Sequence, residues 1–518
     1  MSIFCNTKEN SIKPFSFVIL PSQNTQPEDS LFLSPELIKT FFVDYPKFGK
    51  YHKRIQDKYQ TINYHYLWLS SKGELNSFAN NLSDKADNLE IEGLHVKVPY
   101  KKELDSLLLH NIPKKAIQNH TTELLLTSLY YFYIDNVFNG IDPSETTKMG
   151  WFLPRKDKTE TIAIDSVLQN PELFEKFETA TFSQYNKLKT ALANYKKIKK
   201  KGGWKKIALP ENFTYLKPGD TSKLIPQIRK RLLHSKYLDS DSKSNIYDNE
   251  LVKGIVKYQE RNSLKTDGII RKRLIHSMNI SVNERIQTIE VNMERCRWIS
   301  DDLTQSNGFI FINIPAYKLT FFRNKKTELT SKVVVGKEMN QTVIFSGEMN
   351  QIVFSPYWYI PNSIIQNEII PLIAKDSSYL TRNDMEWFEE GRLRQKPGPK
   401  NALGKVKFIF PNTNSIYLHD TPAKELFNED RRAFSHGCIR VESPKKLALA
   451  VLKNDPNWDS KKIDAAMNAG IQKTYTLKTK IPVYIGYFTS WVDDYGNVLF
   501  FDDIYNQDKL LLKILEKD

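Results

Sequence analysis

The sequence contains few cysteines and no long apolar run. Its 518 residues include three cysteines, Cys5, Cys296 and Cys438, which are too few for a disulfide framework. No stretch reaches the length of about 18 apolar residues that a membrane-spanning helix needs. The longest candidate, Leu124 to Ile134, predicts a buried helix instead. We therefore expect no transmembrane segment.

Signatures of nucleotide, metal and nucleic-acid binding are also missing. No Gly-rich phosphate-binding loop and no zinc-ligand spacing occur, so we expect neither a cofactor nor a metal. The net charge is +15, but the charges are spread along the chain, and the densest cluster lies between Lys196 and Lys206. No aromatic-interleaved basic module surrounds that cluster, so we interpret it as a solvated face and expect no nucleic-acid partner.

The N-terminus lacks a clear secretory signal. Residues Met1 to Cys5 have neither a basic start nor an apolar core. Phe4 stands directly before Cys5, and so bulky a neighbour argues against a lipidated cysteine. The export route is thus not indicated by these residues.

The feature that stands out is the turn Ser435-His436-Gly437-Cys438, preceded by His419 with fifteen residues between His419 and Ser435. A thiol attacks as thiolate, and an adjacent imidazole lowers its pKa by forming an ion pair. Gly437 lets the backbone approach a substrate and leaves the amides of Gly437 and Cys438 free to face an oxyanion. The window favours a nucleophile over a structural cysteine. Spacing alone does not choose between His419 and His436 as the base.

The periodicity along the chain predicts an α+β protein with several domains. We expect a loose arm over 1–35, a helical scaffold over 36–205 and a small three-helix unit over 213–282. Residues 300–505 change to strand periodicity and predict a mostly antiparallel sheet, in which 415–419 is one strand. Within that sheet domain, residues 359–401 predict a helical insertion.

At these residues the chain resembles a known family. His419, a loop and Ser435-His436-Gly437-Cys438 look like the signature of the L,D-transpeptidases of bacterial cell walls. Further segments resemble the large, multidomain branch of that family: Ile314-Pro315-Ala316-Tyr317, Phe354-Ser355-Pro356-Tyr357-Trp358, Asn401-Ala402-Leu403-Gly404 and Tyr417-Leu418-His419-Asp420-Thr421-Pro422.

The three-helix unit resembles the peptidoglycan-binding domain of wall hydrolases. The resemblance rests on Tyr258-Gln259, Leu264 and Asp267-Gly268, whereas Ser263, Arg271 and Arg273 depart from that family's pattern. Glycan binding and a purely structural spacer both remain open for this unit.

The resemblance implies a reaction and a role for each residue. Cys438 would attack the bond before the terminal D-Ala of a peptidoglycan stem, forming a thioester that the side-chain amine of a second stem then attacks. His419 would be the base, oriented by the backbone carbonyl of Asp420, and Tyr417 would assist at the oxyanion. His436 would shape the turn, and Ser435 would belong to the residues around the oxyanion and the substrate. Arg440 stands where many relatives carry Asn and would hold a substrate carboxylate, with a surface ion pair as the alternative.

The same resemblance implies partners and leaves two other functions open. The expected partners are peptidoglycan stem peptides and carbapenem-type inhibitors, which mimic the acyl donor. The insertion would be a lid over the catalytic groove, and the substrate implies the periplasm or cell envelope. Water as acceptor would make the protein an L,D-carboxypeptidase, and a decayed site would make it a non-catalytic wall-anchoring protein. The oligomeric state is not indicated by the sequence.

Overall fold

The computed structural model describes residues 32–516, apart from 71, 73, 110–115, 156, 160, 181, 301–302 and 304–305. The predicted arm lies almost wholly outside the described residues, and so does Cys5.

The N-terminal region is helical, as its periodicity predicts. Its helices are α1 (Pro35–Asp44), α2 (His52–Thr61), α3 (Phe78–Asp87), α4 (Lys101–Leu109), α5 (Ala116–Tyr133), α6 (Pro143–Lys148), α7 (Ile164–Gln169), α8 (Glu172–Ala180) and α9 (Ser183–Lys200). Helix α1 begins at Pro35 because the Ser34 hydroxyl accepts from the Leu37 amide. The apolar run of α5 is buried among the other helices and supplies the centre of their core. No helix of the described part of the chain is long and apolar enough to cross a bilayer.

The second unit is a three-helix cluster with its own core. It contains α10 (Ile225–His234), α11 (Asn249–Arg261) and α12 (Lys272–Met278), and a two-stranded ribbon joins Tyr215–Leu216 to Ile270–Arg271. Tyr258 and Gln259 are buried, and the Gln259 side chain holds the backbone of Gly268 and Ile269. Two of the residues that carry the resemblance therefore support this fold locally.

Helix α13 (Val282–Arg297) connects these helical parts to the β domain. It begins with a capping box, in which Ser281 and Glu284 each satisfy the other's backbone amide. The buried Arg297 pairs with Glu294 at 2.8 Å and donates to the Val137 carbonyl at 3.0 Å. Glu294 also accepts from the Ile141 amide at 2.7 Å. One buried helix thus ties the N-terminal helices to the β domain, with its charges paired.

The β domain is a sheet that closes on itself. Its strands and those of the other units are β1 (Trp151–Phe152), β2 (Tyr215–Leu216), β3 (Ile270–Arg271), β4 (Gly308–Asn313), β5 (Lys318–Arg323), β6 (Lys326–Gly336), β7 (Ile344–Phe354), β8 (Trp358–Tyr359), β9 (Met385–Glu389), β10 (Arg392–Gln395), β11 (Val406–Ile409), β12 (Leu418–His419), β13 (Ala433–Ser435), β14 (Ile439–Val441), β15 (Lys473–Gly486), β16 (Ser490–Val492) and β17 (Val498–Phe500). The main sheet runs β1-β7-β11-β12-β14-β6-β5-β4-β15. Strand β15 also pairs with β7, so the sheet is barrel-like and the predicted α+β class is confirmed.

The predicted strand 415–419 is mostly wrong. Only Leu418 and His419 pair as a strand, and Ser415 has a φ of +54°, which ends any extended run. Residues 415–417 form a loop instead. This loop brings the Ser415 carbonyl to the candidate nucleophile.

The insertion between β7 and β11 is helical only in its first half. That half contains α14 (Asn362–Ile364), a π-helical turn at Ile365–Ile369, α15 (Ile370–Lys375) and α16 (Tyr379–Arg382). The second half is the hairpin β9–β10, with β8 paired to β10, which corrects the prediction of a helical insertion. A separate small core of Ile360, Ile365, Ile369 and Leu393 holds the piece together. Below, residues 360–393 are called the cap.

Three helices complete the β domain: α17 (Pro444–Val451), α18 (Ser460–Met467) and α19 (Gln507–Leu515). Helix α19 is anchored on the buried helix α13, since Arg295 and Asp508 form an ion pair at 2.6 Å. Helices α9 and α13 also pack into the core of the β domain, so this core is not confined to residues 300–505. The predicted domain limits stay a prediction.

Candidate active site

The candidate residues lie on neighbouring strands of the main sheet. Strand β12 pairs in parallel with β14, with His419 beside Arg440, and Leu418 beside Ile439. Because side chains alternate along a strand, Tyr417 and His419 project from the same face as Cys438 and Arg440. The ring centroids of Tyr417 and His419 are 5.8 Å apart. The structure therefore brings these four side chains together.

The Cys438 thiol sits in a polar niche. Its sulfur donates to the Ser415 carbonyl at 3.6 Å, and the backbone amide and hydroxyl of Tyr417 lie close enough to favour the thiolate. Burial raises the pKa of Cys438, and Tyr417, Arg440 and Lys407 oppose that shift. The neutral thiol is thus the resting form at neutral pH.

His419 is buried and held in one orientation. Its Nδ1 lies 2.5 Å from the Asp420 carbonyl oxygen, and a carbonyl only accepts, so Nδ1 carries the proton. Nε2 is left as the acceptor. Burial, and then the nearby Arg440, lower the pKa of His419 to about 3. The ring is therefore neutral at neutral pH and competent to take a proton.

These two pKa shifts correct the ion pair expected from the sequence. Burial disfavours both the Cys438 thiolate and the His419 imidazolium, so the neutral pair is favoured at rest. Proton transfer then has to accompany attack on a substrate. The donors around the sulfur stabilise the charge once it begins to form.

Asp420 is itself fixed by the backbone around it. Its carboxylate accepts from the Lys405 amide at 2.8 Å and pairs with Lys424 at 2.5 Å. Gly404 has a φ of +61°, and a Cβ there would lie 2.4 Å from the Asp420 carboxyl. Only glycine permits this close packing, which sets the carbonyl that orients His419.

The turn before Cys438 is built by internal hydrogen bonds. The Ser435 hydroxyl donates to the Cys438 carbonyl at 2.5 Å and accepts from the Gly437 amide at 3.2 Å. The Gly437 amide is therefore engaged, which corrects the expectation that it is free to face an oxyanion. Among the described residues the Cys438 amide has no acceptor, so it remains the available backbone donor.

Two residues that support the turn were missed from the sequence. Thr342 donates its hydroxyl proton to the Gly437 carbonyl at 2.8 Å and accepts from the Gly336 amide at 2.9 Å. The hydroxyl of Tyr505 donates to the Gly336 carbonyl at 2.6 Å and accepts from the Thr342 amide at 3.2 Å. Both lie far from the turn in sequence, and no local pattern marks either of them.

His436 contacts the cap. It is exposed, and its Nε2 lies 2.7 Å from the carboxylate of Glu368 in the cap. The two candidate histidines thus face different partners. His419 faces the Asp420 carbonyl inside the sheet domain, and His436 joins the turn to the cap.

Arg440 lies half-buried beside His419. Among the described residues no carboxylate approaches its guanidinium within 4.0 Å, and its Nε is buried without a hydrogen-bond partner. Glu425 and Cys438 act on Arg440 electrostatically from further away. No group of three or more His, Cys, Asp or Glu side chains placed to hold a metal ion occurs in the described ranges.

Residues 307–464 match the family model described as the L,D-transpeptidase catalytic domain. The chain carries an L,D-transpeptidase catalytic domain. A second model, described as a scaffold domain, matches residues 53–192. The transpeptidase domain thus includes the strands and the turn that hold Cys438, His419 and Arg440.

A curated relative has a description that agrees with this match. A protein of Haemophilus influenzae described as "Putative L,D-transpeptidase" is 32% identical over 243 residues, covering 43% of this chain and 48% of that protein. The chain therefore spans about half the length of the curated relative it matches.

Two solved structures are also similar to this chain. The L,D-transpeptidase of Stackebrandtia nassauensis is 12% identical, covers 54% of this chain and 97% of its own, and has a TM-score of 0.23. The enzyme of Mycobacterium smegmatis is 11% identical, covers 35% and 58%, and has a TM-score of 0.21.

Proposed function

We propose that this protein cuts the bond before the terminal D-Ala of a peptidoglycan tetrapeptide stem and transfers the acyl group to the side-chain amine of a second stem. The product is a cross-link in the bacterial cell wall. The observation that carries the proposal is the shared face of Cys438, Tyr417 and His419, with a neutral imidazole whose Nε2 is free to accept.

In the first half-reaction, the Cys438 sulfur attacks the scissile carbonyl while His419 Nε2 takes the thiol proton. The oxyanion that develops is met by the Cys438 amide and the Tyr417 hydroxyl, which already faces the sulfur. His419 then gives its proton to the nitrogen of the leaving D-Ala. The carbon–nitrogen bond breaks and a thioester remains on Cys438.

In the second half-reaction, the side-chain amine of another stem attacks the thioester. His419 takes a proton from that amine and returns one to the sulfur as the carbon–sulfur bond breaks. The thioester conserves the free energy of the original amide bond, so the reaction requires no nucleotide and no other cofactor.

The other site residues have supporting roles in this proposal. Asp420 keeps His419 in the productive tautomer through its carbonyl. Ser435 and Gly437 shape the turn that presents Cys438. Arg440, which has no carboxylate partner within the described residues, holds a carboxylate of the donor stem.

The cap is proposed to act as a lid. Its own core makes it a separate packed piece, and Glu368 contacts His436 in the turn directly before the nucleophile. Such a lid would exclude water from the thioester and favour the amine over hydrolysis. Carbapenem-type inhibitors are expected to acylate Cys438, and the substrate implies a place in the cell envelope.

The three-helix unit is proposed as a spacer that docks on the transpeptidase domain. Arg273 pairs with Asp502 at 2.8 Å and with Asp430 at 3.2 Å, both in the β domain. Tyr258 and Gln259 are buried and serve the fold of the unit, so they offer little surface to a glycan.

Purified stem peptides incubated with the protein test the proposed function. Mass spectrometry should find a cross-linked dimer and free D-Ala, both lost in the Cys438→Ala variant. Tripeptide without dimer would identify an L,D-carboxypeptidase instead. Unchanged stems with native, folded protein would leave a non-catalytic wall-anchoring protein and would contradict the proposal.

A further inference from the structure

A row of three basic side chains crosses the sheet beside the nucleophile. Lys407 of β11 lies directly opposite His419 of β12, and His419 lies beside Arg440 of β14. Directly paired residues project from the same face, and neighbouring strands are about 4.8 Å apart. Two cations therefore flank the neutral His419, one on each side, on the face that carries Cys438.

Within the described part of the chain, Lys407 forms no ion pair with a carboxylate. It is half-buried, and no carboxylate of the described residues lies within 4.0 Å of its ammonium group. Its Nζ lies 5.8 Å from the centroid of the Tyr417 ring. Burial lowers the pKa of Lys407, because it disfavours the charged ammonium group, and the nearby Cys438 opposes that shift. The neighbouring Lys424, by contrast, is paired with Asp420.

The position of Lys407 relative to Cys438 indicates which anion it meets. The strands follow one another in the order β14, β12, β11, so Cys438 and Lys407 lie on opposite sides of His419. In the proposed reaction the scissile carbonyl sits at Cys438 and the leaving nitrogen at His419. The next atoms of the leaving D-Ala are its α-carbon and α-carboxylate, and a donor that crosses the strands in this direction would bring the carboxylate towards β11.

We infer that Lys407 binds the free α-carboxylate of the D-Ala that is released, and so selects donors whose scissile bond is the last in the stem. The inference rests on the proposed function and deepens it. A donor with an amide or a further residue at this position would leave Lys407 buried without an anion. The unpaired charge would raise the free energy of the transition state, so that donor would react more slowly. Arg440, on the other side of His419, is left for a different carboxylate of the donor.

The test compares two donors that differ only in the charge at this terminus. One tetrapeptide ends in D-Ala with a free carboxylate, and the other ends in D-alanine amide. Release of D-Ala or D-alanine amide is measured as kcat/KM for the native protein and for Lys407→Met, which keeps the length of the side chain. Lys407→Arg retains the charge. Lys405→Met is the matched control, because Lys405 is exposed and its Nζ donates to Asn468 instead.

A charge-assisted hydrogen bond predicts that the native protein prefers the carboxylate donor by about 10- to 100-fold. Lys407→Met should lose that preference because only the carboxylate donor slows, whereas Lys407→Arg and Lys405→Met should keep it. Circular dichroism and alkylation of Cys438 by iodoacetamide confirm that each variant is folded with an accessible site.

Three results would overturn the inference. Equal rates of the native protein on both donors would remove the carboxylate subsite while leaving the proposed function intact. An equal loss of kcat/KM on both donors in folded Lys407→Met would show that the Lys407 charge acts on Cys438 rather than on the substrate. If the native protein released nothing from either donor, the result would contradict the proposed function, and the inference about Lys407 would be contradicted with it.

Discussion

Replacing Gly404 by alanine should perturb His419 indirectly, because Gly404 packs against Asp420, which orients the imidazole. The substitution itself touches no reacting group. Gly404 has a φ of +61°, and the new Cβ would lie 2.4 Å from the Asp420 carboxyl and 2.6 Å from its Cβ. Gly470 is the matched control, because its φ is +66° and nothing lies within 4 Å of the position of a Cβ. The two variants therefore share the backbone strain and differ in the clash.

The expected magnitudes follow from those distances. Left-handed strain costs about 1 kcal/mol in both variants. Gly404→Ala adds about 1–3 kcal/mol of overpacking. It also adds about 1–3 kcal/mol if the buried Asp420 carboxylate loses the Lys405 amide. In a domain of this size 1 kcal/mol shifts the melting temperature by about 2–4 °C. We expect a fall of about 2–4 °C for Gly470→Ala and of about 6 °C or more for Gly404→Ala.

The same clash should also slow the acylation of Cys438. A displaced Asp420 moves the carbonyl that orients His419, so carbapenem acylation of Cys438 should slow by about 10-fold or more in Gly404→Ala and stay native in Gly470→Ala. Thermal melting and intact-protein mass spectrometry measure both effects. Equal melting temperatures together with native acylation in both variants would refute the packing that we describe around Asp420.

Three further predictions concern the base, its pKa and the cap. His419→Ala should lower acylation at neutral pH by about 10²-fold or more, and His436→Ala should cost less; the reverse order in folded variants would contradict the assignment. Because burial and then Arg440 lower the pKa of His419 to about 3, the base stays deprotonated, and acylation followed from pH 4 to 8 should hold its rate down to about pH 5. Arg440→Met should raise the pH below which the acylation rate falls. A fall in rate near pH 6.5 in the native protein would contradict the neutral base. Replacing 360–393 by an Asn-Gly turn should leave acylation intact but raise the ratio of hydrolysed to cross-linked stems; an unchanged ratio would show that the cap is not a lid.

The sheet strands and the nucleophilic turn were predictable because they are local patterns. The change to strand periodicity over 300–505 marked the sheet domain, and the Ser435 to Cys438 turn stands in one short window. The helical N-terminal region and the three-helix unit followed from the spacing of apolar residues in the same way. These patterns are set by residues close together in sequence.

The parts that were mispredicted depend on contacts between distant residues. The engagement of the Gly437 amide needs the Ser435 side chain to fold back, and the Thr342 support crosses 95 residues of sequence. Ser415 alternates like a strand residue but takes a positive φ where its carbonyl meets Cys438. No local pattern in the sequence marks Lys407, and only the strand pairing places it beside His419.

The pKa shifts could not be read from the sequence either, because burial is their first cause. A cysteine with nearby histidines suggests an ion pair when only the residue types are known. In the folded protein, burial raises the pKa of Cys438 and lowers that of His419, and the nearby Arg440 lowers the latter further. Burial thereby changes the resting state from an ion pair to a neutral pair.

The central claim is that Cys438 is the nucleophile of this transpeptidase domain. Intact-protein mass spectrometry after incubation with a carbapenem, followed by peptide mapping, tests it most directly. The account predicts one covalent adduct, located on Cys438, that persists in Cys296→Ala and Cys5→Ser and is absent from Cys438→Ala. No adduct on the native folded protein, or an adduct on Cys438→Ala, would contradict it.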